Sequence, residues 1–175
     1  MTLEPKYKYG GILIVEADKK SGEKFDIIAA QLESGNCPFW DYFCGLKRKY
    51  EESLRKRILL KKDDQINFSK LQQYFDKFCR TGPWNNERQI KKIEDGFFEF
   101  KIMETGLRVI FYYDKLNKGV IILTHTFLKK KDKVKVSLFF RGRQMEHLDL
   151  GRKVLDRFIT DTQNDAQVEK EPSLE

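Results

Sequence analysis

Cysteine is scarce in this 175-residue sequence, where Cys37, Cys44 and Cys79 make up the whole complement. An odd number with no CxxC spacing supports neither a disulfide framework nor a zinc site, so no cofactor is expected and a reducing compartment fits. Long apolar runs are missing as well. Stretches such as Ile12–Val15 and Val120–Leu123 fall far short of the roughly 20 residues that span a bilayer, and Met1–Tyr9 lacks the apolar core of a secretion signal. These absences argue against a membrane partner and lead to the expectation of a cytoplasmic protein.

Acid is in deficit too: 27 Asp and Glu face 34 Lys and Arg, a formal charge of +7. The imbalance is uneven, because residues 161–175 carry five acids against Lys170 alone, which leaves residues 1–160 at +11. The density peaks between Lys129 and Arg143, where Asp132 is the single acid. Such a run reads equally well as a solvated face, but its field draws in polyanions and makes nucleic acid the first partner to consider.

Residues 12–17 and 25–31 read as two strands joined across Ser21-Gly22, an opening hairpin. Pro38 suits a first helical turn, and Phe39, Phe43, Leu46, Tyr50 and Leu54 recur at spacings of three and four, so an amphipathic helix follows, with Gly45 as its weak point. A second helix is expected to begin after Asn67 or Ser69 and to end at Cys79, ahead of Gly82-Pro83. The runs Phe97–Met103, Leu107–Asp114 and Val120–Phe127 then form a meander, and Met145 to Ile159 carry the apolar spacing of a closing helix. The expected fold class is α+β, with helices on one sheet face. Its parts are residues 1–24 as an N-terminal extension with an extra strand, 25–160 as the main domain, and 161–175 as a disordered acidic tail.

Pairing arithmetic places the candidate site. If Thr105-Gly106 is a two-residue turn, Met103 opposes Arg108 and Lys101 lies diagonally from Arg108 on one face. Either a four-residue loop at Lys115–Lys118 or a two-residue loop at Asn117-Lys118 puts His125 on that face, and Tyr112 alternates onto it with Ile110, Ile121 and Leu123. The opposite face collects Phe98, Phe100, Ile102, Val109, Phe111, Tyr113, Val120 and Ile122 as the core. Glu99 shares the Arg108 face and is a ready ion-pair partner for Lys101 and Arg108.

The ordered set Asn36-Cys37-Pro38, Asp41-Tyr42-Phe43, Leu46, Gly82-Pro83, Lys91-Lys92-Ile93, Phe98-Glu99-Phe100-Lys101, Leu107-Arg108-Val109-Ile110-Phe111-Tyr112 and His125-Thr126-Phe127-Leu128-Lys129-Lys130 resembles the successive signatures of RelE/HigB-type toxins of type II toxin–antitoxin systems, a RelE/ParE superfamily, in its phage-derived branch. The resemblance covers residues 25–132. It implies a RelE-like fold for the main domain, a metal-independent endoribonuclease that cuts messenger RNA on the ribosome, and a HigA-like helix-turn-helix antitoxin as partner. It carries Lys101, Arg108, Lys129 and Lys130 into the site, and beside these the basic run offers Lys131 and Lys133, and Lys91 and Lys92 are further candidate RNA contacts. The family's Pro-Lys-x-Glu-like start of the closing helix is replaced here by Val134–Arg143, and the chain is longer at both ends.

RNA cleavage without metal needs a base for the 2′-hydroxyl, cations for the phosphoryl oxygens and an acid for the leaving oxygen. Arg108 cannot lose its proton and suits the phosphoryl oxygens. Lys101 or Lys129, among other cations, is the candidate base or proton shuttle, with His125 competing for either role. Tyr112 is the candidate base-stacking residue. Three rivals stand beside this reading, the first being an inactive phage relative that binds RNA without cutting it. A ParE-like toxin would bind DNA gyrase without chemistry, and a cysteine hydrolase would pair Cys37 or Cys44 with His125, although the local signatures of such enzymes are absent.

Overall fold

The computed structural model describes residues 4–8, 11–31, 35–94, 96–113 and 119–129. They form seven strands and two long helices. The strands are β1 (Tyr7–Lys8), β2 (Gly11–Val15), β3 (Asp26–Ala29), β4 (Ile90–Glu94), β5 (Phe97–Ile102), β6 (Leu107–Tyr113) and β7 (Val120–Leu128), and the helices are α1 (Pro38–Lys56) and α2 (Lys62–Thr81). All strands join one mixed sheet in the order β1-β2-β3-β7-β6-β5-β4, which is α+β as expected. It is wider than the predicted hairpin plus meander. The strands β1 and β4 escape the sequence pattern because one has two residues and the other, Ile-Lys-Lys-Ile-Glu, does not alternate. The expected closing helix, the acidic tail and Val134–Arg143 lie outside the described residues.

The opening hairpin pairs β2 with β3 antiparallel, and β3 then runs parallel to β7, so α1 and α2 form the crossover between the sheet's two halves. Helix α1 starts with Pro38 in its first turn, places Asp41 there and Arg55 and Lys56 in its last, and passes through Gly45 unbroken. Helix α2 begins at Lys62, well before the expected Asn67, because Asp63 and Asp64 favour a helix start and Ile66 extends the apolar face. It ends where Gly82, at φ 70, donates its N–H to the Phe78 carbonyl.

Both helices bury Phe39, Leu46, Phe68, Leu71, Phe75 and Phe78 against Ile27, Phe100, Val109 and Phe111 of the sheet, with the Phe100 and Phe111 rings 4.2 Å apart. The other sheet face is also apolar: Ile28, Ala30, Phe97, Ile110 and Ile122 form a second buried cluster. Two predicted placements are corrected here. Ile121 and Leu123 join the helix-side core, and Ile122 and Val120 the opposite cluster, the reverse of the simple alternation. The cause is a bulge: Ile110 pairs with His125 but Phe111 with Leu123, so Thr124 is an extra residue and donates its hydroxyl to the Ile110 carbonyl.

Candidate functional site

The β5–β6 turn sets the first part of the site. It is a four-residue loop from Met103 to Gly106, not the predicted two-residue turn, so Lys101 stands directly across from Arg108 instead of diagonally. Parity is kept, because the register moved by two. Gly106 closes the loop at φ 79 and donates its N–H to the Ile102 carbonyl. Its own carbonyl accepts the N–H of Lys129 at 2.8 Å, which ties the residue after β7 to this corner of the sheet.

Lys91, Arg108 and Lys129 act on Lys101 there, with Glu99 as the nearest carboxylate. Glu99 sits two residues before Lys101 on β5 and pairs across with Lys91 of β4 and Ile110 of β6. It is 7% exposed, and its Oε1 lies 3.9 Å from Lys101 Nζ. The Lys101 ammonium also donates to the Glu87 carbonyl at 2.9 Å, and its backbone N–H donates to the Gln89 carbonyl. Burial holds the Lys101 amine below its ordinary value, Glu99 opposes that, and the charges of Lys91, Arg108 and Lys129 push it further down.

Arg108 is 6% exposed and donates to the Leu107 carbonyl at 3.0 Å and to Met103 Sδ at 3.7 Å. Burial lowers its pKa, with Glu99 and Tyr74 pulling the other way, yet a guanidinium remains charged throughout the working range.

His125 faces the same side as Arg108, two residues before Phe127 on β7, and is 3% exposed with Nδ1 2.9 Å from the Thr124 hydroxyl. Tyr112 also lies on that face, its ring edge-on to Phe97 at 5.2 Å and over Gly96. The arrangement brings Lys91, Lys101, Arg108 and Lys129 together. It does not bring Lys92, which pairs with Phe98 and so belongs to the opposite face of the edge strand. Lys130, Lys131 and Lys133 lie outside the described residues.

Sequence reasoning missed how the loop after α2 is tied down. Lys101 reaches the Glu87 carbonyl, while the Trp84 indole N–H donates to Gln89 Oε1 at 2.9 Å. The signal was weak, because only β4, itself unread, brings this loop beside β5. Among the described residues no group of three or more His, Cys, Asp or Glu is placed to hold a metal ion, and no helix is long and apolar enough to cross a membrane. Chemically, the cluster can hold a phosphate and offers one lysine whose amine is easier to deprotonate than usual.

Two family models match the chain. The model for phage-derived Gp49-like proteins matches residues 59–139, and the model for the C-terminal domain of translation initiation factor IF-3 matches residues 121–175. Similar proteins include the initiation factors IF-3 of Bartonella henselae, 53% identical over 51 residues, or 29% of this chain and 30% of that one. That of Methylobacterium sp. strain 4-46 is 55% identical over 63 residues, or 36% of this chain and 34% of that one. The chain therefore spans about a third of the length of these curated relatives. The segment Val134–Arg143, which departs from the toxin pattern, falls within the IF-3-like stretch. The cationic cluster from Lys91 to Lys129 lies wholly within the stretch similar to phage-derived Gp49-like proteins, and most of β7 is common to both matches.

Proposed function

We propose that this chain acts on RNA of the translation machinery as a toxin-like, metal-independent ribonuclease that cuts messenger RNA on the ribosome and is held in check by a small antitoxin. The observation that carries this reading is the gathering of cations around Lys101: Arg108 stands across from it, Lys91 lies across from the adjoining Glu99, and Lys129 is tied to the turn that follows it. The Gp49-like match over the same residues supports a toxin, and the IF-3-like match supports a ribosomal setting. In this reading Arg108 stabilises charge on the phosphoryl oxygens, Lys129 grips the backbone, and Lys101 moves the proton. His125 is the competing proton carrier.

Primer extension on a translated reporter after induction is the test. Cleaved messages in the wild type, and a loss of about 100- to 1,000-fold in single-turnover rate for Arg108→Ala, are expected. Lys129→Ala should weaken binding and reduce its salt dependence. Activity that needs the neutral Lys101 amine rises with pH and levels off below the ordinary lysine value, and Lys101→Arg should remove that limb. Intact messages with broken DNA would move the assignment to gyrase poisoning.

A second reading is RNA or ribosome binding without cleavage. Its support is the burial of Arg108 and its engagement with Leu107 and Met103, together with the match to a translation factor. Cosedimentation with ribosomes that leaves messages whole would favour it.

A further inference from the structure

Helix α1 runs past the core. Its last turn and the five-residue connection to α2 turn aliphatic side chains to solvent: Leu54 is 64%, Ile58 61% and Leu59 98% exposed. Leu54 was expected on the buried stripe. Together they expose on the order of a few hundred Å² of apolar surface, the scale at which a patch on a soluble protein is commonly a binding surface. Ile58, Leu59 and Leu60 wall a concave pocket of about 260 Å³ that Lys49, Lys56 and Lys61 border.

The patch is held in shape. Arg57 takes a left-handed φ of 51 and donates its N–H to the Ser53 carbonyl, and the Ile58 N–H donates to the same oxygen at 3.1 Å. Residues 47–62 carry eight Lys and Arg against Glu51 and Glu52, so the surroundings are strongly basic.

These features select among occupants. Nucleic acid would answer the charge, and Arg55 and Arg57 could stack on its bases, but it would leave the aliphatic Leu54, Ile58 and Leu59 without an apolar partner. A second copy would bring the same cations face to face. An anionic lipid surface suits a convex apolar tip, but this one is concave.

We propose that the tip of the helical hairpin docks an acidic amphipathic helix of a partner protein, which seats leucine-like side chains against Ile58 and Leu59 while its carboxylates face Lys56 and Lys61, Lys49 being paired with Asp64 at 3.5 Å. The site is separate from the RNA chemistry above, since none of Lys91, Lys101, Arg108 and Lys129 lines it.

The test uses the full chain and a synthetic Glu-rich helical peptide with leucine at positions i, i+3, i+4 and i+7, measured by titration calorimetry beside the same peptide with serine for leucine. The leucine peptide should bind, the serine peptide at least tenfold more weakly, and an Ile58→Ser/Leu59→Ser double variant should lose about tenfold or more for the leucine peptide. Thermal melting of that variant should match the wild type, because both side chains are exposed. Lys56→Glu/Lys61→Glu should weaken the leucine peptide as well. Equal affinity for the two peptides, or no binding of either, would overturn the proposal. So would tighter binding to phosphatidylserine vesicles that the serine variant loses, which would make the tip a lipid contact. A wild-type dimer that the serine variant dissociates would instead make it a self-association surface.

Discussion

Gly106→Ala is the most informative single change for the link between fold and site. At φ 79 an alanine enters a backbone region that costs it about 1 kcal/mol. A Cβ at that position would also lie 2.5 Å from the Lys129 carbonyl oxygen, a backbone atom that cannot swing away as a side-chain end can. Relief requires the end of β7 to part from the turn, which breaks the Lys129 N–H to Gly106 carbonyl bond at a further cost of about 1 kcal/mol. With residual crowding the expected destabilisation is roughly 2–3 kcal/mol, seen as a fall of roughly 5–10 °C in melting temperature for a chain of this size. The same displacement carries Lys129 away from Lys101, so polyanion affinity should fall and its dependence on salt concentration should flatten by about one counterion. A melting temperature within one degree of wild type (~1 °C) would refute the backbone account, and an unchanged salt slope in a destabilised variant would remove Lys129 from the cluster.

Arg57→Gly should stabilise the protein by up to about 1 kcal/mol in urea unfolding, because the left-handed helix cap suits glycine. Asp26→Ala should destabilise it by about 2–4 kcal/mol in the same assay, since this buried carboxylate accepts from the Ala17 N–H at 2.8 Å and pairs with Lys8 at 2.9 Å. Burial pushes the Cys37 thiol up to about 11 and the Cys79 thiol to about 12, so alkylation of the folded protein near pH 8 should label Cys44 ahead of both, as peptide mass spectrometry would read. Both raised thiols bind protons that the unfolded chain releases above about pH 9, so stability should decline as pH climbs from there toward their folded values.

The meander was legible because Phe98 to Ile102 alternates and because β6 and β7 are runs of β-branched and aromatic residues bounded by turn residues, and the helices because their aromatic spacing is regular. The facing of the near half of β7 was not. Val120 to Leu123 is apolar at every position, so alternation cannot tell its faces apart, and the bulge at Thr124 has no glycine to mark it. Lys101 and Arg108 could be placed on one face by parity alone, since any even shift of register preserves it. The approach of Lys129 to that face rests on one backbone bond to Gly106, and the position of Lys91 on an unread edge strand, and neither leaves a trace in local pattern. The β3–β7 pairing joins segments about 90 residues apart and belongs to the class of contacts that periodicity does not report.

That distant pairing has a bearing on how the protein is made. Ile27 finds its neighbour Ile121 only after the helices and the meander have left the ribosome, so the opening hairpin must wait through most of synthesis. Until then β3, whose residues are all buried in the finished sheet, presents an open apolar edge, as does β6 on the other side of the gap. The strand that closes both edges is also the one at which the Gp49-like and IF-3-like stretches meet, so a chain interrupted just before Val120 would be left with a sheet in two unjoined halves and a strong tendency to aggregate.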